Sequence, residues 1–335
     1  MGHSVCLVIP ARNAARTIGR CLECAVAIRE RGDLQRIIVV DDGSTDETAE
    51  IAQKFPVTCI RSEAGGRSSA RNRGWQAAEE EIIWFVDADC EAEPDALAEL
   101  LPCFDDPNVG GAGGSYKLLE GRSLLYRLVH EEIVERHRRM PDRVNFLGTF
   151  NAAYRRSVLE ALHGFDRTPS RAEDADLSYR VYGTGYQLGF SATSRVAHNN
   201  YTTWWPYLRA QAQEGYWRVW LHLRHTSHAA GDSYSNMFDH VQPPLAMLLL
   251  ASLPLLIPPP TRFLAPSVAI GLALAQIPMT ARLVRRTKRL AYLCFAAMSF
   301  VRAFARGFGL AWAVLSYLPA RLTGRHQARE KNSSP

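Results

Sequence analysis

The chain has 335 residues, enough for a sizeable core and more, and its formal net charge of +5 is unevenly spread. Residues 241–335 carry 12 Lys/Arg against one acid, Glu330, a net +11, whereas residues 1–240 carry 27 bases and 33 acids, a net −6. A mildly acidic front on a basic, apolar tail argues against a nucleic-acid binder and for a soluble domain on a membrane anchor with basic cytoplasmic flanks.

The seven cysteines (Cys6, Cys21, Cys24, Cys59, Cys90, Cys103 and Cys294) are odd in number, and no secretory signal precedes VCLVIPA. Reduced thiols and a cytosolic catalytic face are therefore expected. Cys21 and Cys24 make a lone CxxC inside helix-like sequence and read as structural thiols.

In chain order, VCLVIP, IIVV, VTCIRS and IIWFVD are short apolar runs. They alternate with the helix-like TIGRCLECAVAIRERG, STDETAEIAQKF and SSARNRGWQAAEEE. This alternation predicts a mostly parallel sheet covered on both faces, whose ligands bind outside the carboxyl ends of the strands. The unusual polar clusters stand at those ends: Pro10-Ala11, Asp41-Asp42 and Asp87-Ala88-Asp89. Residues 108–200 are less regular, with the glycine-rich VGGAGGSY and the charged SLLYRLVHEEIVERHRRM. Residues 201–240 are rich in Trp, Tyr and Arg and suit a membrane–water interface.

Two uncharged stretches follow, PPLAMLLLASLPLLIPPP (243–260) and FLAPSVAIGLALAQIPMTA (263–281). Each approaches the ~17–25 residues that cross a bilayer, so a helical hairpin is expected. RLVRRTKR belongs on the cytoplasmic side by its five bases in eight residues. A third apolar stretch contains Arg302 and Arg306. Each arginine would cost roughly 2.5–3.5 kcal/mol at mid-bilayer, which favours an interfacial helix there. The expected organisation is a catalytic domain over 1–200, interface helices over 201–240, a membrane region over 241–320 and a basic tail over 321–335.

Adjacent carboxylates at Asp41 and Asp42 exceed what a capped turn requires. A carboxylate at a strand end can accept a hydrogen bond from uracil or from a ribose hydroxyl. Arg67, Arg71 and Arg73 lie in a glycine-rich approach to a helix, where N–H groups and guanidinium forks suit phosphate oxygens. GxxxxGK[ST] and GxGxxG are both absent, which excludes a P-loop and argues against a dinucleotide dehydrogenase. Asp87 and Asp89, at i and i+2, point to one side of an extended chain, and a hard divalent cation bound to a diphosphate would neutralise them.

IPARNAARTI, IIVVDDGSTDET, SSARNRGW, IIWFVDADCEAEPDAL, GTFNAAYRRSVL, GFD and AEDADLSYRVYGTGY, in this order, resemble the family 2 glycosyltransferases. The resemblance covers about residues 4–200. It implies an α/β GT-A nucleotide-diphospho-sugar-binding fold, Rossmann-like with a mixed, mostly parallel sheet, followed here by a membrane-associated helical region. It also implies that Pro10, Ala11, Asp41 and Asp42 line the nucleoside pocket, and that Arg71 approaches the base or diphosphate. Asp87 would serve the ribose or the metal, and Asp89 would hold Mn2+ or Mg2+. Glu173 would join the sugar site, Asp174 would be the catalytic base, and His198 would be a further metal ligand. Asp176 is expected to cap or orient.

There are departures from the family pattern. Ala14-Ala15 stand where many relatives have an acid, and Gln213 to Trp217 lacks the arginine of a QxxRW motif, which favours transfer of a single sugar. The expected activity is metal-dependent, inverting transfer from a nucleotide-diphospho-sugar, UDP-linked, to a lipid-linked or other membrane acceptor at the cytoplasmic face of the inner membrane. Transfer to polyprenyl phosphate, a nucleotidyltransferase and a catalytically silent scaffold are the alternatives.

Overall fold

The computed structural model describes residues 2–322 except 120, 121, 169, 170, 200, 229, 230 and 259, so the basic tail from 323 onward lies outside the described residues. Contacts divide the chain into two compact units, one of residues 1–121 and 137–199, the other of 122–136 and 200–335. Residues 122–136, which the sequence grouped with the catalytic domain, belong to the second unit.

The first unit is built on one mixed sheet. The chain runs β1 (Val5–Ala11), α1 (Ile18–Glu30), β2 (Arg36–Asp42), α2 (Thr48–Ala52), β3 (Thr58–Ser62), α3 (Arg67–Gln76), β4 (Ile82–Val86) and β5 (Cys90–Ala92). It continues through β6 (Val109–Lys117), α4 (Leu124–His137), β7 (Arg143–Val144), β8 (Asn151–Arg155), α5 (Arg156–Ala161), α6 (Glu173–Gly183) and β9 (Gln187–His198). The strand order is β3-β2-β1-β4-β8-β6-β9-β5, with β7 also on β9. β3, β2, β1 and β4 are parallel, and β8 runs antiparallel between β4 and β6.

The strands read as unbroken apolar runs because both faces are buried. Val5, Leu7 and Ile9 join Trp84 and the α1 residues Ile18 and Leu22 in one core. Their neighbours Cys6 and Val8 turn to the other face, with Phe85, Ala70 and Trp75 of the α3 side. Cys21 is buried against the first core while Cys24 is only half-buried, as structural positions on α1 require.

The second unit is helical: α4, then α7 (Trp204–Arg224), α8 (Met237–Ser252), α9 (Leu264–Leu274), α10 (Ile277–Thr287) and α11 (Cys294–Leu322). α7 and α11 cross at small residues. A Cβ on Gly215 would collide with the Arg306 backbone, and one on Gly309 with that of Ala212, so glycine permits this approach. Two segments, Leu264–Thr287 and Leu290–Ser316, are long and apolar enough to cross a membrane. Of the sequence-expected hairpin, the 243–260 stretch instead breaks after Ser252 into a 3-10 turn, Leu253–Leu256. The stretch with Arg302 and Arg306, expected to be interfacial, is the longest helix among the described residues. Arg302 is buried and turned onto Glu132, which it contacts at 2.5 and 3.0 Å, so its charge need not face lipid.

Glu132 is the hub of this unit. It also accepts from Arg136 at 2.8 Å, and Arg136 in turn forks onto both oxygens of Asp239 at 2.7 Å. Asp239 closes a capping box with Asn236 at the start of α8. Burial alone would raise the Glu132 pKa, but Arg302 and Arg136 outweigh it and bring it down from 4.5 to about 2. A depressed carboxylate stabilises the fold above its unfolded pKa, and that contribution is lost as pH falls through the folded value. Thermal melting in detergent should therefore show a loss of stability between pH about 4.5 and about 2. Glu132→Gln should be less stable at neutral pH and should lack this component. An equal acid loss in both proteins would contradict the assignment.

Candidate active site

Strand ends β1, β2 and β4, the end of β9 and the start of α6 supply the site. β2 runs into Asp41 and Asp42, both buried. Asp42 is engaged by backbone: its two oxygens accept from the N–H groups of Gly65 at 2.7 Å and Gly66 at 2.9 Å. Asp41 accepts from Ser44 N–H at 3.0 Å. The two carboxylates thus shape the turn after β2 and the glycine-rich approach to α3. Pro10 and Ala11 pair in register with Val40 and Asp41, so the four residues expected at the nucleoside share one sheet edge.

Arg71, expected at the base or diphosphate, is held by two carboxylates. It is 1% exposed, and its two terminal amino groups donate to Glu173 and to Asp87, each at 2.8 Å. Burial would lower its pKa, yet Asp87 and Glu173 raise it, so the guanidinium stays charged. The aromatic face of Phe165 lies 5.5 Å away. Through these two contacts Arg71 braces the end of β4 against the start of α6, with its Nε buried and unpartnered. Glu173 is buried and bound to Arg71, with Arg67 at 3.5 Å.

Asp174, beside Glu173, is half-buried at the second position of α6. Its Oδ1 accepts from Ala175 N–H at 2.8 Å. Ala172, just before the helix, takes a left-handed φ of 70°, a strained setting for a residue with a Cβ. Asp176 is fully buried and accepts from Arg180 at 2.8 Å. Arg180 also donates to the Leu162 and Gly164 carbonyls, which fixes α6 on the turn before it.

Asp89 follows the tight turn after β4, where Cys90 N–H donates to the Asp87 carbonyl at 2.9 Å. β5 then pairs antiparallel with β9, setting Cys90 opposite His198. That register brings His198 Nε2 to 3.3 Å from Asp89 Oδ2. Burial pushes Asp89 up, but His198 and hydrogen bonding outweigh it and hold the carboxyl below its usual range. One ligand atom each from Asp89, Cys90 and His198 lie within 4.8 Å of one another. A carboxylate and an imidazole converging on a partly exposed turn fit a divalent cation. Asp87 is tied to Arg71 and stands outside this group, so Asp89 and His198 are the better-placed pair.

Sequence reasoning missed the aromatic wall beside this pair. Tyr116 stacks on Phe150 at 3.9 Å between centroids, and His198 lies 5.3 Å from Tyr116. Only the pairing of β6 with β9, which sets Tyr116 against Val196, brings these residues together.

The sheet order and the acidic edge define the class, a GT-A nucleotide-sugar fold. The mannosyltransferase PcManGT from Pyrobaculum calidifontis, solved with GDP-Man and Mn2+, superposes with a TM-score of 0.60 at 19% identity, covering 93% of this chain and 88% of that one. Residues 6–162 match Glycosyl transferase family 2, and the chain carries a glycosyltransferase domain of that family. The probable glycosyltransferase YdaM of Bacillus subtilis is 29% identical over 69% of this chain and 55% of its own length. The O-antigen chain rhamnosyltransferase WbaN of Salmonella anatum is 29% identical over 59% of this chain and 67% of its own. The chain thus spans little more than half of the first of these relatives and about two-thirds of the second.

Two outcomes follow from this geometry. Arg71→Met leaves a buried Glu173 facing no close guanidinium but Arg67, and should cost about 3–5 kcal/mol in chemical denaturation. A cost below about 1 kcal/mol would contradict the brace. Asp89→Ala and His198→Ala should each weaken Mn2+ binding, measured by calorimetry, at least about tenfold, or roughly 1.4 kcal/mol. Unchanged binding in both variants would remove the cation from this pair.

Proposed function

We propose that this protein transfers one sugar, with inversion, from a nucleotide-diphospho-sugar to a lipid-linked or other membrane acceptor at the cytoplasmic face of the inner membrane. The observation that carries this reading is the continuous chain of contacts from Asp87 through Arg71 to Glu173, which sets the Asp89–His198 pair and Asp174 on one braced edge. A uridine donor is the favoured one, with Pro10, Ala11, Asp41 and Asp42 shaping the nucleoside side of that edge.

Asp89 and His198 are the residues that would hold Mn2+ or Mg2+, with Asp87 beside them. When bound, the ion would neutralise charge on the departing diphosphate. Asp174 accepts the proton of the attacking acceptor hydroxyl. One base and one in-line displacement give inversion. Arg71 and Glu173 keep the two carboxylate centres in register, and Tyr116 and Phe150 wall the cation side against water. The named activity of WbaN supports a glycan acceptor in the cell envelope. The two apolar segments and the basic run 282–289 support anchoring at the cytoplasmic leaflet.

A donor screen with purified full-length protein, Mn2+ and membrane lipid extract should release a nucleoside diphosphate from one class of nucleotide-sugar. Asp174→Asn should lower kcat about 10²–10⁴-fold with donor affinity kept. Near-normal turnover in that variant would remove the base and point to a phosphate acceptor. Absence of release from every nucleotide-sugar would contradict the enzyme reading.

A further inference from the structure

The helical unit holds a partly open cavity of about 250 Å3, lined from α4, α7, α8 and α11 by none of the residues of the sugar-transfer site. Packing does not ordinarily leave such a space, since a water molecule takes only about 30 Å3 of liquid volume. Its polar side carries more cationic than anionic groups, and the anionic ones are largely in use. The lining acids are Glu132, taken by Arg302 and Arg136, Asp239, taken by Arg136, and Glu214, which has a partner of its own.

Arg306 is left over. Its Nε donates to Gln211 at 2.8 Å, and no carboxylate lies within 4.0 Å of it among the described residues. It sits inside the Leu290–Ser316 segment, where an arginine without a counter-ion is costly and marks a binding function. A second observation comes from α7: the Nε2 of His222, also on the cavity wall, is buried and has no hydrogen-bond partner. Burial first, then Arg218 and His240, lower the His222 pKa to about 4, so the ring is neutral near pH 7 and can donate a hydrogen bond. Val219 and Leu310, on the same two helices as His222 and Arg306, add aliphatic surface to the lining.

We propose that this cavity binds the phosphate headgroup of a membrane lipid, with the free edge of Arg306 and the Nε2 of His222 on the phosphate oxygens and the first chain carbons against Val219 and Leu310. A guanidinium edge matches two phosphate oxygens, and an uncompensated cation selects an anionic headgroup over a zwitterionic one. The aliphatic surface selects a lipid over inorganic phosphate. The proposal rests on the membrane-anchored reading above but not on sugar transfer. Its test omits donor and Mn2+, so the two readings can fail separately.

Full-length protein extracted from phosphatidylcholine nanodiscs, with or without phosphatidic acid, is measured for retained lipid by native mass spectrometry. Wild-type protein should retain one phosphatidic acid in preference to phosphatidylcholine, and excess inorganic phosphate should not displace it. Arg306→Gln should weaken retention at least about tenfold, and Arg306→Lys should fall between the two. Equal retention of both lipids by the wild type overturns the proposal without needing any variant, as does undiminished retention by a folded Arg306→Gln. Full displacement by inorganic phosphate would overturn the lipid assignment.

Discussion

The catalytic unit depends on one buried cation. Arg71 lies on α3 yet joins a strand end to a helix start 102 residues further along the chain. A guanidinium held between two carboxylates in a dry site is costly to bury and more costly to break, so the pair constrains geometry more than it adds stability. Its two amino groups diverge at a fixed angle. Asp87 and Glu173 are therefore set relative to each other to within hydrogen-bond tolerance. Lysine, with one point charge, cannot make the same fork.

The rest of the edge follows from that constraint. Asp89 is two residues from Asp87, across a turn closed by the Cys90 N–H, and Asp174 adjoins Glu173. Holding the braced carboxylates holds their neighbours. Glu173 is buried beside a half-buried Asp174, whereas Asp87 and Asp89 are both half-buried. Asp41 and Asp42 follow a related logic, spending their oxygens on backbone N–H groups that order the flanking loops.

The sequence carried the sheet and the strand-end placement of its acids, because these depend on local signals. Apolar runs of strand length mark β1, β2 and β4, and carboxylates at their ends mark the edge. The Arg71–Glu173 contact was not legible because burial is a tertiary property: a glycine-flanked arginine looks the same whether it meets a phosphate or a carboxylate. His198 gained weight only from the β5–β9 register, which no spacing reports. Helix 122–136 was grouped with the catalytic residues because it lies between them in sequence, although its acids Glu131 and Glu132 pair with Arg286 and Arg302. The Arg302 charge on α11 looked incompatible with an apolar helix until Glu132 supplied its counter-ion.

In the proposed reaction, Arg71 and Glu173 act as one unit in holding the metal side and the base side together. The direct measurement is a double-mutant cycle of Arg71→Met and Glu173→Gln, read on both stability and turnover. The account predicts strong non-additivity, with a coupling of about 0.5–3 kcal/mol, because the second substitution removes the buried charge that the first leaves stranded. Effects that simply add would contradict it.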